Sequence, residues 1–520
     1  MSEPQTLAQA LEATWRRWPD RVALADGDRR ISYAELETLV GSLAAAYPAL
    51  GIERGDRVVC SVSNRPELIV ALGAAWVAGA IHVGVDYQST PAELSAVVAL
   101  TEARALIYEP PAQDDTALAL LRALHQAHPD LSIVVVGDAV APARFHTMSG
   151  LLAPGGPRHT PDPPAPDDPA MIFISSGTTG TPKAALNHHG NLCRRWLRLA
   201  GWLRFGPEDV HLAHLPLAHG FGLMMAVAGL FGGGRLVMLR EFSGEAALAQ
   251  IGREQVTVLN GAPAHFKLVL GRLDPQRHSI GSLRLSVGTA ALFPPPLVQA
   301  IWERLGVEFM FMYGSSEGLG VATTEREDIL LGSVGRPATG AVRIVGPDRA
   351  PLPAGEVGEI AFSRRVFPVQ YWRGAGQATP PSAHDDVWYY SGDLGRLDEQ
   401  GRLYVFGRLK HQIDRGGIKV DPVEVEAALL RCAGVSDAAV IGVHNPILGE
   451  SVCACVVPAT GQQPTLSELR AALGVELAPH KLPEELCLLG QIPRTQIGKV
   501  DLARLREEVR AAERQQIGRG

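Results

Sequence analysis

The chain has 520 residues, of which 46% are hydrophobic and 20% charged, and its formal net charge is −7. This length exceeds what one hydrophobic core supports, so we expect two or more domains in an ordinary water-soluble globular protein. The negative charge argues against a nucleic-acid partner, and the scattered cysteines argue against a zinc site. Reduced thiols and a polar N-terminal stretch without an apolar signal segment predict a cytoplasmic protein.

Helical and extended patterns alternate along the first part of the chain. Leu7–Trp18 has the apolar spacing of a helix, and a second helix is predicted to start at Ser32, with Glu35 completing a capping box. From Arg57 to Val136, short apolar strands alternate with helices. This alternation predicts a parallel sheet covered by helices.

One apolar stretch, from Leu68 to Val85, is long enough to resemble a membrane helix. It contains His82 and four glycines, however, and lacks flanking clusters of positive charge. We expect it to divide at Gly79 into a buried helix and a buried strand, and we expect no membrane span.

A loop rich in glycine and hydroxyl side chains follows the apolar run Met171–Ile174, which has the pattern of a buried strand. Glycines let such a loop approach a ligand closely, while hydroxyl groups, amides and a lysine suit a polyphosphate. The spacing does not fit the G-x-x-x-x-G-K-[ST] loop, and the alternative is a solvent-exposed linker. The predicted phosphate-binding residues are Ser175, Ser176, Gly177, Thr178, Thr179, Gly180, Thr181 and Lys183.

The pattern changes in the second half of the chain. From Gly340 onwards, short strands separated by turn sequences predict a small β-rich subdomain. The polar segment Gly407–Arg415 has the composition of a joint, and the residues after it read as a separate α+β unit.

The loop sequence SSGTTGTPK resembles the phosphate loop of the adenylate-forming superfamily, which includes acyl-CoA synthetases, adenylation domains of peptide synthetases and beetle luciferases. Four further motifs resemble the family's signatures and occur in the family's order. One departure is Ala184, where the family usually has glycine. The four motifs are YGSSEG (Tyr313–Gly318), YYSGDLG (Tyr389–Gly395), GRLKHQIDRGGIKVDPVEVE (Gly407–Glu426) and PRTQIGK (Pro493–Lys499).

The resemblance implies a specific α/β architecture. We expect a large N-terminal domain, residues 1–408, made of two α/β subdomains and a small β-rich subdomain. A small, mobile α+β C-terminal domain, residues 409–520, is expected to follow it. Lys410 matches the family's hinge position, where a polar residue allows the backbone to rotate.

The resemblance also assigns residues to ATP and Mg²⁺. It places Tyr313 on the adenine ring, Ser316 at the α-phosphate and Glu317 on Mg²⁺, and it counts Gly314 among the cofactor-binding residues. A glutamate beside phosphates suits Mg²⁺, although a glutamate at a helix N-terminus is the alternative. Asp393 would accept hydrogen bonds from both ribose hydroxyls; the alternative interpretation is an aspartate that only stabilises a turn. Arg408 would contact the ribose and the phosphates.

Two features of the C-terminal part concern catalysis and coenzyme A. In the family, glycines matching Gly416 and Gly417 line the channel for the pantetheine arm of the thiol. Lys499 matches the lysine that bridges the attacking carboxylate and the α-phosphate, which makes it the clearest catalytic candidate. Ser316 and Glu317 complete the predicted catalytic set.

The predicted acyl pocket is lined by small and apolar residues. The segment Leu217–Phe221 around His219 has no acidic residue of the kind that holds an amino group in peptide-synthetase domains, so an amino-acid substrate is disfavoured. Because His219 is a lone histidine, the alternative interpretation is that it is a residue of the hydrophobic core. A pocket so lined predicts a bulky hydrophobic or aryl carboxylic acid. The predicted pocket residues are His219, Phe221, Met224, Gly261, Gly288, Ala290 and Val321.

These assignments predict an acyl- or aryl-CoA ligase that adenylates a carboxylic acid with ATP, transfers the acyl group to coenzyme A and releases AMP and pyrophosphate. Its expected partners are the acid, ATP and coenzyme A. Whether the protein forms a homodimer stays an open question. Three alternatives also stay open: loading of a free-standing carrier protein, a catalytically silent protein that binds nucleotide or acyl-adenylate, and a luciferase-like oxidase.

Overall fold

The computed structural model describes most of the chain, with several short gaps. The described residues are 3–110, 115–137, 145–152, 162–175, 183–289, 293–315, 317, 320–367, 370–372, 378–379, 387–415, 418–446, 448–495 and 498–517.

The first part of the chain contains the elements α1 (Leu7–Arg17), β1 (Val22–Asp26), β2 (Arg29–Ser32), α2 (Tyr33–Ala46), β3 (Arg57–Ser61), α3 (Pro66–Ala78), β4 (Ile81–Gly84), α4 (Pro91–Thr101), β5 (Ala105–Tyr108), α5 (Asp115–Ala127), β6 (Ser132–Val135), β7 (His146–Thr147) and α6 (Met148–Leu151). Ser32 caps α2 and forms the predicted capping box with Glu35.

The middle of the chain continues with β8 (Pro169–Ser175), β9 (Lys183–His188), α7 (His189–Trp202), β10 (Val210–Ala213), α8 (Gly220–Phe231), β11 (Arg235–Met238), α9 (Gly244–Glu254), β12 (Val258–Gly261), α10 (Pro263–Arg272), β13 (Leu285–Gly288), α11 (Pro295–Ala300), β14 (Glu308–Gly314), β15 (Gly320–Thr323) and α12 (Arg326–Leu330). A turn of π-helix, Ile301–Leu305, follows α11.

The remaining elements are β16 (Val342–Val345), β17 (Gly358–Ser363), β18 (Gln370–Trp372), β19 (Ala378–Thr379), β20 (Trp388–Leu397), β21 (Leu403–Arg408), β22 (Ile413–Arg415), β23 (Ile418–Val420), α13 (Pro422–Leu429), β24 (Val435–Asn445), β25 (Gly449–Pro458), α14 (Leu466–Leu473), β26 (Glu485–Leu488) and α15 (Leu502–Ile517). Short 3₁₀ turns lie at Pro48–Leu50, Leu409–His411 and Pro479–Lys481.

Two large sheets form the N-terminal part, and both have a parallel centre covered by helices, as predicted. Among the described residues, one sheet has the order β19-β18-β9-β8-β4-β3-β5-β6-β7 and the other the order β15-β14-β13-β12-β10-β11-β1-β2. Parallel strands joined by helices bring their carboxyl ends to one edge, where α/β proteins bind ligands.

The apolar stretch from Leu68 divides as predicted. Helix α3 ends at Ala78, Gly79 takes the left-handed conformation with φ 69°, and β4 starts at Ile81 with all of its residues buried. A residue at the C-terminal cap with positive φ favours glycine, which explains this position. No helix in the described ranges is both long and apolar enough to cross a membrane.

Two smaller sheets follow the parallel ones. Strands β16, β17, β20 and β21 form an antiparallel sheet, which confirms the predicted β-rich region. The last sheet contains β22 to β26, all of which lie C-terminal to Arg408, and helices α13 and α14 pack on one of its faces. A domain boundary between residues 408 and 409 stays a prediction.

Candidate active site

A buried carboxylate, Asp393, lies where β20 and β21 meet the end of β14. Asp393 is 5% exposed and pairs in register with Arg408, whose Nε lies 2.9 Å from Oδ1. The hydroxyl of Tyr313, on β14, donates to Oδ2 at 2.5 Å. Burial, followed by the Asp393 charge, raises the pKa of Tyr313 well above its usual value, so the phenol keeps its proton. A carboxylate has about four acceptor positions, so Asp393 has capacity left for a diol.

The second carboxylate, Glu317, is held by two tyrosines. The hydroxyl of Tyr371 donates to Oε1 of Glu317 at 2.9 Å and lies 3.1 Å from the hydroxyl of Tyr389. Burial, and then the Glu317 charge, raises the pKa of both phenols. The Lys183 ammonium lies 5.8 Å from the centre of the Tyr371 ring.

Glu317 is the predicted ligand of Mg²⁺. It occupies the turn between the antiparallel strands β14 and β15, so the alternative of a helix N-terminus does not apply. Within the described ranges, no cluster of three or more acidic, histidine or cysteine side chains could hold a metal by itself. One carboxylate completed by phosphate oxygens and water suits Mg²⁺, which rarely takes an all-protein cage.

Lys499 reaches this same site from the C-terminal part. It follows Gly498, which has φ 79°, in a tight turn where the Thr495 amide donates to the Lys499 carbonyl at 2.7 Å. A Cβ on Gly498 would lie 2.7 Å from the Cβ of Ala262, so only glycine lets the turn approach so closely.

Three charged residues act on the Lys499 ammonium. Lys499 is an exposed residue, yet desolvation by the surrounding protein lowers the pKa of its ammonium. The Arg408 charge lowers this pKa further, whereas Asp393 and Glu317 raise it. Lys499, Asp393, Arg408 and Glu317 therefore lie close to one another.

Several predicted residues lie outside what the structure describes. Ser175 ends β8 and Lys183 begins β9, and the two are register partners, so the predicted phosphate loop joins two antiparallel strands. Lys410 belongs to the short 3₁₀ turn Leu409–His411 between β21 and β22. Outside the described residues lie Ser176, Gly177, Thr178, Thr179, Gly180, Thr181, Ala290, Ser316, Gly416 and Gly417.

Part of the predicted acyl pocket lies on the face of the second large sheet that α8 covers. Phe221 and Met224, on α8, pack with Met312 and Ala322 from the neighbouring strands β14 and β15. Sequence reasoning missed Met312 and Ala322, because nothing in the sequence says which strand residues face α8.

Three other predicted wall residues, Gly261, Gly288 and Val321, face the opposite side. A Cβ on Gly288 would lie 2.5 Å from the ring of Phe309, and a Cβ on Gly261 would lie 2.9 Å from the side chain of His265. Val321 packs in the large core on this same side. The structure therefore explains the two glycines by core packing and does not bring Val321 to the face of Phe221 and Met224.

A polar side chain interrupts the apolar α8 face. Asn260 pairs in register with Val287, which belongs to the α8-side cluster, so Asn260 shares that face. Asn260 is 5% exposed, and its Oδ1 is buried without a hydrogen-bond partner. The predicted wall has no obvious charge, and Asn260 adds a neutral polar group on this face.

His219 also has an unexpected neighbour. It lies at the N-terminus of α8, and its Nε2 is 3.6 Å from Oδ2 of Asp86, which follows strand β4. The two side chains come together because the end of β4 packs against the turn that precedes α8. A Cβ on Gly84 would lie 3.0 Å from the carbonyl oxygen of Ala218. The expectation of no acid beside His219 holds only for its neighbours in sequence.

Comparison with known proteins identifies the family. A family profile described as AMP-binding enzyme matches residues 11–372, and the profile of its C-terminal domain matches residues 424–499. This chain belongs to the AMP-binding enzyme family. The match confirms the predicted resemblance to the adenylate-forming superfamily and its acyl- or aryl-CoA ligase branch.

Individual members of the family match this AMP-binding enzyme along nearly its whole length. Sulfoacetate–CoA ligase of Cupriavidus necator is 31% identical over 97% of this chain and 98% of its own. Salicyl-AMP ligase / salicyl-S-ArCP synthetase of Mycobacterium tuberculosis is 34% identical over 96% of this chain and 89% of its own. The crystal structure of ATP-bound MatB from Rhodopseudomonas palustris has a TM-score of 0.83 and 28% identity, covering 96% of this chain and 98% of its own.

Proposed function

We propose that this AMP-binding enzyme activates a bulky hydrophobic or aryl carboxylic acid with Mg·ATP and transfers the acyl group to coenzyme A. The observation that carries the proposal is the convergence of Lys499, Asp393, Arg408 and Glu317 in one cleft. An acid-thiol ligase needs such a site, because its first step brings together two anions.

In the first step the substrate carboxylate attacks the α-phosphorus of ATP, and pyrophosphate leaves. Lys499 is proposed to lie between the carboxylate and the α-phosphate, where its ammonium would orient the carboxylate and offset charge on the phosphate. Asp393 and Arg408 would hold the ribose, and Glu317 would hold Mg²⁺. When bound, Mg²⁺ neutralises charge on the phosphate oxygens.

In the second step the thiol of coenzyme A attacks the acyl carbonyl, its proton is lost, and AMP leaves with the bonding electrons. Gly416 and Gly417 are proposed to line the thiol channel. Both steps use the same acyl-adenylate, so the C-terminal part must present Lys499 and then the two glycines to one site. We propose that it rotates at Lys410 between the steps.

The acid itself is proposed from the pocket wall. Phe221, Met224, Met312 and Ala322 provide an apolar surface, which favours an aryl or bulky aliphatic acid. Asn260 and His219 add two polar groups, so we expect ring acids with a hydrogen-bonding substituent to be accepted. The salicyl-AMP ligase relative, by its name, uses such an acid, whereas the sulfoacetate–CoA ligase relative uses a small polar one.

The test is a panel of aryl, aliphatic, polycyclic and small polar acids, assayed by pyrophosphate release with and without coenzyme A. We expect aryl acids to release pyrophosphate and to form a thioester with coenzyme A. Selective turnover of sulfoacetate would contradict the proposed acid. Carboxylate-dependent ATP–pyrophosphate exchange also excludes a silent nucleotide-binding protein.

Loading of a carrier protein is the second candidate, favoured by the relative named for transfer to a carrier. Acyl-adenylate that forms normally but transfers only to a phosphopantetheine-bearing carrier would establish it. A cytoplasmic location and a homodimer are further proposals, to be checked by cell fractionation and by light scattering of the purified protein.

A further inference from the structure

A salt bridge joins the N-terminal and C-terminal parts next to the active site. Lys267 lies on α10, within the matched AMP-binding region, and Asp437 lies on β24, within the matched C-terminal domain. The Lys267 Nζ is 3.3 Å from Oδ1 of Asp437, and the two side chains are 36% and 23% exposed. The pair therefore depends on how the two parts are docked.

Asp437 has a second cationic partner, which belongs to the turn that carries Lys499. Arg494 Nη2 donates to both carboxylate oxygens of Asp437, at 3.0 and 2.8 Å. Arg494 Nη1 donates to the carbonyl of Gly498 at 3.2 Å, and Gly498 directly precedes Lys499. The carboxylate thus connects an N-terminal cation to the backbone of the catalytic turn.

The same turn packs on the first turn of α10. The Cβ position of Gly498 is 2.7 Å from the Cβ of Ala262 and 3.1 Å from Cε1 of His265, both close in sequence to Lys267. Ala262 is the N-terminal cap residue of α10, so the steric contact and the ion pair lie on one helix. Docking of the turn and formation of the Lys267–Asp437 pair therefore occur together.

We propose that Lys267 and Asp437 are positioning residues that hold the C-terminal part in the pose where Lys499 serves adenylation. In this pose the Asp437 carboxylate pairs with two cations, Lys267 and Arg494. Rotation of the C-terminal part separates Lys267 from Asp437, whereas Arg494 remains paired with it. The pair therefore stabilises one pose and not the other. This inference rests on the proposed roles of Lys499 and of the rotation.

The test is single-turnover measurement of each half-reaction in the full chain. Lys267→Ala should slow adenylation by up to about fivefold, the size of a partly exposed ion pair. Asp437→Asn, which also weakens the Arg494 contacts, should slow it about tenfold or more. Thioester formation from supplied acyl-adenylate should stay constant or speed up in both variants, and Lys267→Arg should restore adenylation.

A matched control is Lys481→Ala. Lys481 pairs with Glu424 at 2.7 Å, with similar exposure, but both residues lie in the C-terminal part. We expect neither half-reaction to change. Equal slowing of both half-reactions by Lys267→Ala, or no effect on either, would overturn the positioning role.

A parallel Lys499→Ala variant separates this inference from the proposed function. If Lys499→Ala abolishes adenylation while Lys267→Ala and Asp437→Asn leave it unchanged, the positioning role alone is wrong. If Lys499→Ala leaves adenylation intact, the proposed role of Lys499 is wrong and the positioning role is overturned with it.

Discussion

Tyr371 donates a hydrogen bond from its hydroxyl to Oε1 of Glu317 at 2.9 Å, although Tyr371 lies on β18 of one large sheet and Glu317 lies in the turn between two strands of the other. Tyr389 lies 3.1 Å from the same hydroxyl, so the phenols form a connected cradle around one carboxylate. With their pKa values raised, both phenols stay protonated and act as donors at neutral pH. The Glu317 carboxylate is therefore held by hydrogen-bond donors, which suits its predicted role as a ligand of Mg²⁺.

We predict that Tyr371→Phe weakens the use of Mg·ATP. Losing one hydrogen bond to a charged acceptor is worth about 1.5 kcal/mol or more, which is about tenfold in kcat/KM. The expected change is a higher Mg²⁺ requirement in ATP–pyrophosphate exchange, with the KM for the acid nearly constant. A magnesium titration at fixed ATP measures it.

Tyr404→Phe is the matched control, because the Tyr404 hydroxyl donates to Asp398 at 3.2 Å outside the cleft. Its magnesium titration should match that of the unchanged protein. Equal magnesium curves for Tyr371→Phe and Tyr404→Phe would show that Tyr371 does not position the metal ligand.

Local sequence patterns singled out residues that the structure brings close together, and their roles stay predictions. Tyr313, Asp393, Arg408 and Lys499 each lie in a short motif, and the structure places all four at one cleft. The division of the apolar stretch at Gly79 was also predictable, because glycine and segment length are local signals.

What the sequence could not predict depends on contacts between distant segments. Asp86 meets His219, and Lys267 meets Asp437, only after the sheets and the two parts pack together. Strand faces are equally hidden, because a shift of one residue moves a side chain to the opposite face. For this reason the sequence did not show which of Asn260 and Gly261 faces α8.

Lys410→Pro should separate the two half-reactions. Under the proposed role of Lys499, the pose that brings it near Asp393 and Glu317 is the adenylating one. Proline fixes φ near the value typical of the 3₁₀ turn at Lys410. We expect adenylation to persist and transfer to coenzyme A to fall at least about tenfold. Lys410→Ala, which leaves the backbone free, should support both steps. Normal transfer in Lys410→Pro would place the hinge elsewhere.

The pH dependence of adenylation should report on Lys499. Desolvation and the Arg408 charge lower its pKa, so the ammonium loses its proton at a lower pH than an ordinary lysine. Because the cation is the active form, single-turnover adenylation should decline on the alkaline side below the usual lysine range. Arginine stays protonated there, so Lys499→Arg should have a lower rate but no such decline. If the adenylation rates of the unchanged protein and of Lys499→Arg decline over the same alkaline pH range, the decline belongs to a group other than Lys499.

Replacing Asn260 by valine should raise stability and relax selectivity together. The buried Oδ1 has no partner, and an unsatisfied acceptor costs about 1–3 kcal/mol. We expect Asn260→Val to increase the free energy of unfolding and to lower, by about tenfold, the kcat/KM preference for a hydroxylated aryl acid over its unsubstituted analogue.

Ser286→Ala is the matched control. Ser286 Oγ is also buried without a partner, but Ser286 lies on the face of the sheet opposite to Asn260 and Val287. It should gain stability with no change in acid preference. The same preference in both variants would show that Asn260 does not contact the acid.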